Sequence, residues 1–272
     1  MSIEPIPIAA AEAAPEVYAA ADPYQAAYGI EFQTLVHFAG PVLRELHRTV
    51  QDPTEIQGQV TMASRGEDGD AILAEMEILK RVANTPHPSD EDRGSYLAAL
   101  QSIYRRLPSQ PEELLRAPDT LCIGIEREGR ILAQQMGWLP ESGFIPFHAK
   151  RIPFGDGLLV GLTEIPSKRD CKRVVIVDGA IASGATVVAL LCMLLRSNVR
   201  EVHLYSVHSS FEGLRAIMRY AGRHGITMEI TVGHATAGIN SKFYAVDATD
   251  PSMVVVGDLG DTITGCQPIA HG

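Results

Sequence analysis

The sequence is poor in the residues that mark disulfide-rich, metal-binding and membrane-spanning proteins. It holds 4 cysteines among 272 residues and no Cys-x-x-Cys pair, which argues against a zinc cage or a redox dithiol and favours free thiols in a reducing compartment. The longest uncharged apolar run, Val187–Leu195, is well short of the roughly 20 residues that a membrane-spanning helix needs. The N-terminus lacks the basic region of a signal peptide. We therefore expect a cytoplasmic protein with no membrane partner.

The chain is also poor in positive charge. It carries 33 Asp and Glu residues against 23 Lys and Arg, a formal net charge of −10. An acidic surface repels the phosphates of nucleic acids, so we expect no nucleic-acid partner. Residues 1–118 carry 18 of the acids and 9 of the bases. The excess therefore lies mainly outside the C-terminal half, where a small anionic substrate is compatible with the charge.

The organisation of the chain changes near residue 118. Residues 1–28, rich in Ala and Pro, are expected to form an arm without a core of its own. Residues 29–118 carry apolar side chains at helical spacing and are expected to form a helical region. The three predicted helices lie around Val42–Leu46, Ile72–Val82 and Leu97–Leu107. Ser89 and Asp92 have the spacing of a capping box before the third helix.

Residues 119–272 alternate short apolar runs with amphipathic stretches. This alternation predicts an α/β fold, a mainly parallel sheet flanked by helices. The predicted strands cover Leu121–Ile125, Phe144–Phe147, Val174–Val177, Val202–Val207 and Met228–Val232. The predicted helices cover Ile131–Leu139, Ala185–Arg196 and Phe211–Arg223. Ligands of such sheets bind outside the carboxyl ends of the strands, so the site is expected there.

One strand of this part ends in an acid and runs into a loop of small residues. Asp178 ends the apolar run, and the loop that opens the next helix consists of Ala182, Ser183, Gly184, Ala185 and Thr186. Backbone N–H groups at a helix N-terminus bind phosphate, and the helix dipole strengthens that binding. No lysine follows Gly184, so this is not a Walker loop. An ordinary strand-to-helix turn is the alternative reading of this segment taken alone.

The whole segment resembles the motif that binds phosphoribosyl pyrophosphate (PRPP) in type I phosphoribosyltransferases. Gly179 stands where most members have a second acid, a variant shared with the uracil phosphoribosyltransferases. Further segments resemble the family in the same order: Ile123–Gly129, Lys150–Arg151, Asn240–Tyr244 and Gly257–Gly265. The resemblance covers about residues 119–268, and the type I phosphoribosyltransferase fold is what it implies.

The resemblance implies a magnesium-dependent transferase that moves 5-phosphoribose from PRPP to an acceptor, with uracil as the first candidate. It assigns the ribose hydroxyls to Asp178, the pyrophosphate to Arg127 and Arg151, and the 5-phosphate to residues 182–186. Asp258 would face the acceptor or a metal-bound water. The acceptor-binding residues would be Tyr244, Val246, Gly257 and Asp258. Magnesium would arrive with PRPP, without direct protein ligands, and a homodimer or higher homo-oligomer is implied.

The acceptor segment departs from the uracil enzymes. The spacing between Tyr244 and Asp258 is twice theirs, and Val254 and Val255 replace a Pro-Gly turn. Glu126 and Glu128 flank Arg127, where they would either weaken pyrophosphate binding or recruit magnesium. Two alternatives stay open: PRPP-dependent transfer to another amine, alcohol or heterocycle, and a non-catalytic sensor of PRPP or nucleotides.

Two further features have more than one interpretation. The glycine-rich stretch after Arg151 is expected to form a mobile hood over the site, a β-hairpin around Gly155–Gly157, or both. The 9 histidines show no metal-ligand spacing. His203 and His208, which bracket a predicted strand, are therefore expected to have packing or surface roles.

Overall fold

The structure, a computed structural model, describes residues 15–19, 34–46, 60–108, 111–125, 128–135, 137, 144–147, 149–162, 171–241, 243–257, 259 and 262. Strands β1 to β10 span Glu16–Ala19, Thr34–Phe38, Val60–Met62, Thr120–Ile125, Phe144–Phe147, Ala149–Phe154, Gly157–Leu162, Arg173–Ile181, Glu201–Ser210 and Thr227–Thr236. Helices α1 to α7 span Gly40–Leu46, Gly69–Ala83, Asp90–Arg105, Glu112–Arg116, Glu128–Gln135, Ala185–Leu194 and Phe211–Arg223.

The centre of the fold is a six-stranded sheet in the order β3-β10-β9-β8-β4-β5. Each neighbouring pair in it is parallel. Parallel neighbours require crossover connections, and α5, α6 and α7 follow β4, β8 and β9. The predicted α/β class, a parallel sheet flanked by helices, is confirmed.

Both faces of this sheet are covered, which explains the unbroken apolar run of β8. Val174 and Ile176 pack in one buried cluster with residues of α6 and α7. Val175 and Val177 pack in a second cluster with residues of α2 and α3. All four side chains have no exposed surface. A strand buried on both faces is apolar at every position, rather than at alternate ones.

The three helices predicted before residue 118 are confirmed as α1, α2 and α3. The capping box of α3 is confirmed as well. The Ser89 hydroxyl accepts a hydrogen bond from the Asp92 N–H at 3.1 Å, and the Asp92 carboxylate accepts one from the Ser89 N–H at 3.1 Å. These reciprocal bonds satisfy backbone donors that the first helical turn leaves free.

Strands also arise from residues that the pattern did not predict as strands. β3 pairs in parallel with β10 at the edge of the main sheet. β1 and β2 join the four-stranded sheet β1-β2-β7-β6. β3 has three residues and β2 five, too few for a pattern to distinguish strand from helix. Residues on both sides of position 118 therefore share sheets and cores.

The second sheet contains the hairpin predicted around Gly155–Gly157. β6 and β7 pair antiparallel from Ala149↔Leu162 to Phe154↔Gly157. Gly155 lies in the turn at φ +60°, a backbone conformation that glycine adopts without a steric penalty. Residues 163–167, the remainder of the predicted hood, lie outside the described residues.

Across the described ranges, no helix combines the length and the apolar character required to cross a bilayer. The three described cysteines, Cys122, Cys171 and Cys192, are buried. Burial raises the pKa of Cys122 and of Cys192 to about 12. Both thiols are therefore protonated and unreactive at neutral pH.

Candidate functional site

The predicted phosphate loop connects β8 to α6 at the carboxyl edge of the main sheet. Gly184 is the N-cap of α6, with φ 72° and ψ −4°. A side chain is disfavoured at that φ, and a Cβ atom there would also lie 2.7 Å from the carbonyl oxygen of Gly213. A Cβ on Gly213 would collide with the carbonyl of Ala182. The two glycines thus let the loop lie directly on the first turn of α7.

Ser210, the N-cap of α7, holds this loop in place. Its hydroxyl accepts a hydrogen bond from the Gly213 N–H at 2.8 Å and donates one to the Ala182 carbonyl. Within the loop, the Ser183 hydroxyl accepts a bond from the Ala185 N–H at 3.3 Å. Ser210 was not predicted as a site residue, although a serine directly before an amphipathic helix is a recognisable N-cap signal.

Asp178, the predicted ribose ligand, is buried near the end of β8 with 6% of its surface exposed. Its carbonyl accepts a hydrogen bond from the Tyr104 hydroxyl of α3 at 2.7 Å. The next carbonyl, that of Gly179, accepts one from the Ser206 hydroxyl of β9 at 3.2 Å. The backbone around Asp178 is therefore fixed by a helix and by the neighbouring strand.

A cavity of about 50 Å³ opens at the same edge of the sheet. Its lining consists of Arg151, Ala180, Ala182, His208, Tyr244, Ala245, Val256 and Gly257. Four predicted site residues meet there: Arg151, Ala182, Tyr244 and Gly257. Val246, predicted to bind the acceptor, is buried beside the lining residue Ala245. The structure thus brings one residue of the predicted 5-phosphate loop, one predicted pyrophosphate ligand and the predicted acceptor segment to one cavity.

Arg151 reaches this cavity from the antiparallel sheet. It lies on β6 and is exposed. Its Cζ atom is 6.0 Å from the centre of the Tyr244 ring, at the outer limit of a cation–π contact. The hairpin therefore carries a cation to the rim of the cavity.

The predicted acceptor segment folds back on itself through the bridges Ile239↔Ala245 and Val246↔Val254. Its start is held by Glu212 of α7, which is buried and accepts bonds from the Gly238 N–H at 3.1 Å on both carboxylate oxygens. Glu212 is a site-forming residue that sequence reasoning missed. Its signal, a lone acid in the first turn of a helix, is ordinary.

The far end of this segment is held by α2 and α3. Lys80 pairs with Asp247 at 2.8 Å, and Asn84 donates a hydrogen bond to the Val254 carbonyl at 2.7 Å and accepts one from its N–H at 3.2 Å. The pKa of Asp247 is lowered, mainly by its hydrogen bond with Lys80. Tyr96 donates to the Val256 carbonyl at 2.5 Å. The helices before residue 118 thus position the segment whose length departs from the uracil enzymes.

Several predicted residues are not described. Arg127, Asp258 and Glu126 lie outside the described residues, as does the side chain of Glu128. A Cβ on Gly129 would collide with the Val177 carbonyl, so the start of α5 lies against the end of β8. Within the described part of the chain, no three His, Cys, Asp or Glu side chains are placed to hold a metal ion.

His208, expected to have a packing or surface role, lies in the cavity wall. It is fully buried, and its Nε2 atom is 3.1 Å from the Thr236 hydroxyl. Burial, with the nearby His234, lowers the pKa of His208 to about 3. No sequence signal distinguished this histidine from the other eight, because its place depends on how β9 pairs with its neighbours.

The fold and the cavity define an α/β protein with a tight glycine turn and a cavity at the carboxyl edge of a parallel sheet. No family model and no curated protein sequence matches the chain. Among solved structures, the AQ2163 protein from Aquifex aeolicus is similar with a TM-score of 0.47 at 16% identity, over 72% of this chain and 95% of that one.

Other similar structures carry the names of transferases. Adenine phosphoribosyl transferase from Trypanosoma brucei has a TM-score of 0.39 at 14% identity, over 60% of this chain and 79% of that one. Purine phosphoribosyltransferase from Pyrococcus horikoshii has a TM-score of 0.34 at 21% identity, over 41% of this chain and 73% of that one.

Proposed function

We propose that this protein transfers 5-phosphoribose from PRPP to a small acceptor with release of pyrophosphate. The observation that carries the proposal is the cavity lined by the loop residue Ala182, Arg151 and Tyr244. The buried Asp178 lies two residues before the lining residue Ala180 on β8. The sequence motif alone is compatible with an ordinary turn. Its position at one cavity with an arginine and the acceptor segment favours a binding site for a phosphorylated sugar.

In this proposal, the loop of residues 182–186 and Asp178 bind PRPP, the donor of the phosphoribosyl group. Backbone N–H groups at the start of α6 would bind the 5-phosphate, and the helix dipole would add attraction. The Asp178 carboxylate would accept hydrogen bonds from the ribose hydroxyls. As pyrophosphate departs, positive charge develops on the ribose ring, and a nearby carboxylate stabilises that charge.

In this proposal, arginine side chains and the magnesium ion that arrives with PRPP bind the pyrophosphate leaving group. Guanidinium groups bind phosphates through paired donors, which suits Arg151 and Arg127. Magnesium would neutralise part of the pyrophosphate charge as a component of the substrate. In this proposal the protein's own task is to orient the two phosphorylated ends and to exclude water from the ribose carbon.

Uracil is the acceptor we propose to test first, because the Gly179 variant of the motif resembles the uracil enzymes. A different heterocycle is the second candidate. It is favoured by the long segment between Tyr244 and Asp258, which is fixed to Lys80 of α2 and to its C-cap residue Asn84. A binding site built by that segment would differ in shape from one built by a short Pro-Gly turn.

The test is pyrophosphate release by purified protein with PRPP, magnesium and a panel of acceptors, beginning with uracil and adenine. We expect turnover with at least one acceptor. Calorimetry with PRPP alone runs in parallel. PRPP binding without turnover on any acceptor would support a sensor instead, and absence of PRPP binding would contradict the proposal altogether.

A further inference from the structure

His208 connects the phosphate-loop strand to the acceptor side of the cavity. In the parallel register it lies opposite Ala180 of β8 and opposite His234 of β10. Ala180 and His208 both line the cavity. The imidazole therefore lies at the carboxyl edge of the sheet, one strand away from the residues predicted to bind ribose.

The hydrogen bonding of this imidazole is incomplete. Nε2 is 3.1 Å from the Thr236 hydroxyl. Nδ1 is buried and has no hydrogen-bond partner among the described residues. Buried polar atoms in proteins are nearly always paired, because an unpaired one loses its bonds to water without replacement. Because His208 lines the cavity, its unpaired nitrogen is a candidate contact for the molecule that fills the cavity.

The charge state of His208 restricts the kind of molecule that can bind beside it. Desolvation by burial lowers the pKa of His208 to about 3, and His234 contributes in the same direction, so the ring is neutral at pH 7. A neutral imidazole donates through one nitrogen and accepts through the other. Among the described lining residues the positive side chain is Arg151, which is exposed at the rim and assigned to pyrophosphate. The buried part of the cavity therefore offers hydrogen bonds without positive charge.

We propose that Nδ1 of His208 hydrogen-bonds the polar edge of the acceptor, and that the acceptor is an uncharged nitrogen heterocycle rather than one carrying a carboxylate. This inference rests on the proposed function and specifies its acceptor. The small residues Ala245 and Gly257 place no bulky side chain in this part of the cavity wall, and the Tyr244 ring offers the acceptor an aromatic neighbour. Nε2, bound to Thr236, orients the imidazole.

The first test compares variants of His208 in the pyrophosphate-release assay. His208→Leu should raise the acceptor KM by about tenfold or more and leave the PRPP affinity from calorimetry unchanged. His208→Asn, which keeps a polar atom near the position of Nδ1, should recover more activity than His208→Gln, which places it near Nε2. Thr236→Val, the matched control, removes only the Nε2 partner and should have a smaller effect than His208→Leu.

An unchanged acceptor KM in His208→Leu would overturn the inference, as would better recovery by the glutamine than by the asparagine variant. If His208→Leu does not fold, the asparagine and glutamine variants decide the outcome alone. A matched pair of probes tests the charge of the acceptor: uracil should be preferred to 6-carboxyuracil. Preference for the carboxylate would overturn the inference while leaving PRPP-dependent transfer intact.

A binding measurement separates this inference from the proposed function. Protein labelled with ¹⁵N-histidine is saturated with ribose 5-phosphate and magnesium pyrophosphate, and uracil or adenine is then added. The Nδ1 resonance of His208, identified by its loss in His208→Asn, should shift. An unshifted Nδ1 with a bound base, or binding of neither base, would overturn the inference. The proposed function would instead fail if PRPP itself did not bind.

Discussion

At the scale of single residues, the candidate site depends on positions where the backbone is fixed or where a larger side chain would not fit. Gly184 has a left-handed backbone and lies against Gly213, so both its φ and its missing Cβ matter. Asp178 is buried at a strand end whose backbone is fixed by Tyr104. Substitutions at such positions report on the site, because each has a defined physical effect.

Gly184→Ala should destabilise the protein by about 1–3 kcal/mol, since it combines an unfavourable φ with a contact on the Gly213 carbonyl. It should also weaken PRPP binding, because the loop must move away from α7. Denaturant unfolding and PRPP calorimetry measure the two effects.

Gly222→Ala is the matched control for this change. Gly222 is in α7, and a Cβ there meets nothing within 4 Å. This variant should gain about 0.5–1 kcal/mol of stability and bind PRPP as the wild type does. Equal stability of the two variants would show that the backbone of Gly184 is not constrained as described.

Asp178→Asn keeps the shape of the side chain and removes its charge. We expect kcat to fall by about 100-fold or more, because the carboxylate would no longer stabilise charge on the ribose ring. Far-ultraviolet circular dichroism should be unchanged. Asp70→Asn, in the exposed first turn of α2, is the control and should leave the rate unchanged. A fully active Asp178→Asn protein would remove Asp178 from the mechanism.

At the scale of elements, the helices before residue 118 position the acceptor segment of the cavity. Lys80 of α2 and its C-cap residue Asn84 contact the segment, and α3 contacts it through Tyr96. These bonds hold the segment that leads to the cavity residues Val256 and Gly257. The helical layer therefore shapes one wall of the cavity as well as covering one face of the sheet.

Asn84→Ala should raise the acceptor KM several-fold and leave the PRPP affinity unchanged, because it releases Val254 on both its N–H and its carbonyl. Steady-state kinetics with each substrate varied in turn measure the effect. Thr85→Ala, the control, loses only a bond from its hydroxyl to the Arg81 carbonyl. If the binding of PRPP and the binding of the acceptor weakened equally, Asn84 would support the whole fold instead.

At the scale of the whole molecule, the buried His208 and the half-buried His234 link stability to pH. Burial lowers the pKa of both His208 and His234 below the usual 6.5. The unfolded chain therefore binds protons that the folded chain does not, and stability is lost as pH falls below about 6.5. For His208 this loss continues down to its folded-state pKa of about 3.

Between pH 6.5 and pH 4.5, the free energy of unfolding should fall by about 1 kcal/mol per pH unit through His208. Urea unfolding at a series of pH values measures the slope. In His208→Asn, which has no group that titrates there, the slope should be smaller by that amount. If the wild type and His208→Asn showed the same slope, His208 would not be neutral and buried in the folded protein.

Much of the fold follows from local patterns in the sequence. The apolar runs of β4, β8 and β9 and the periodicity of α2, α3 and α7 are contiguous, so their burial leaves a direct pattern. The short strands β2 and β3 leave none, because their pairing depends on β7 and β10 far along the chain.

The sequence by itself determined the parallel α/β architecture and the phosphate-loop candidate from Asp178 to Thr186. Strand, loop and helix are adjacent there, so their geometry follows from neighbouring residues. Only the tertiary structure decided that His208 lines the cavity, that Glu212 holds Gly238, and that Asn84 holds Val254. The last contact joins residues 170 positions apart. Such contacts arise when helices pack on a sheet, and they leave no periodicity in the sequence.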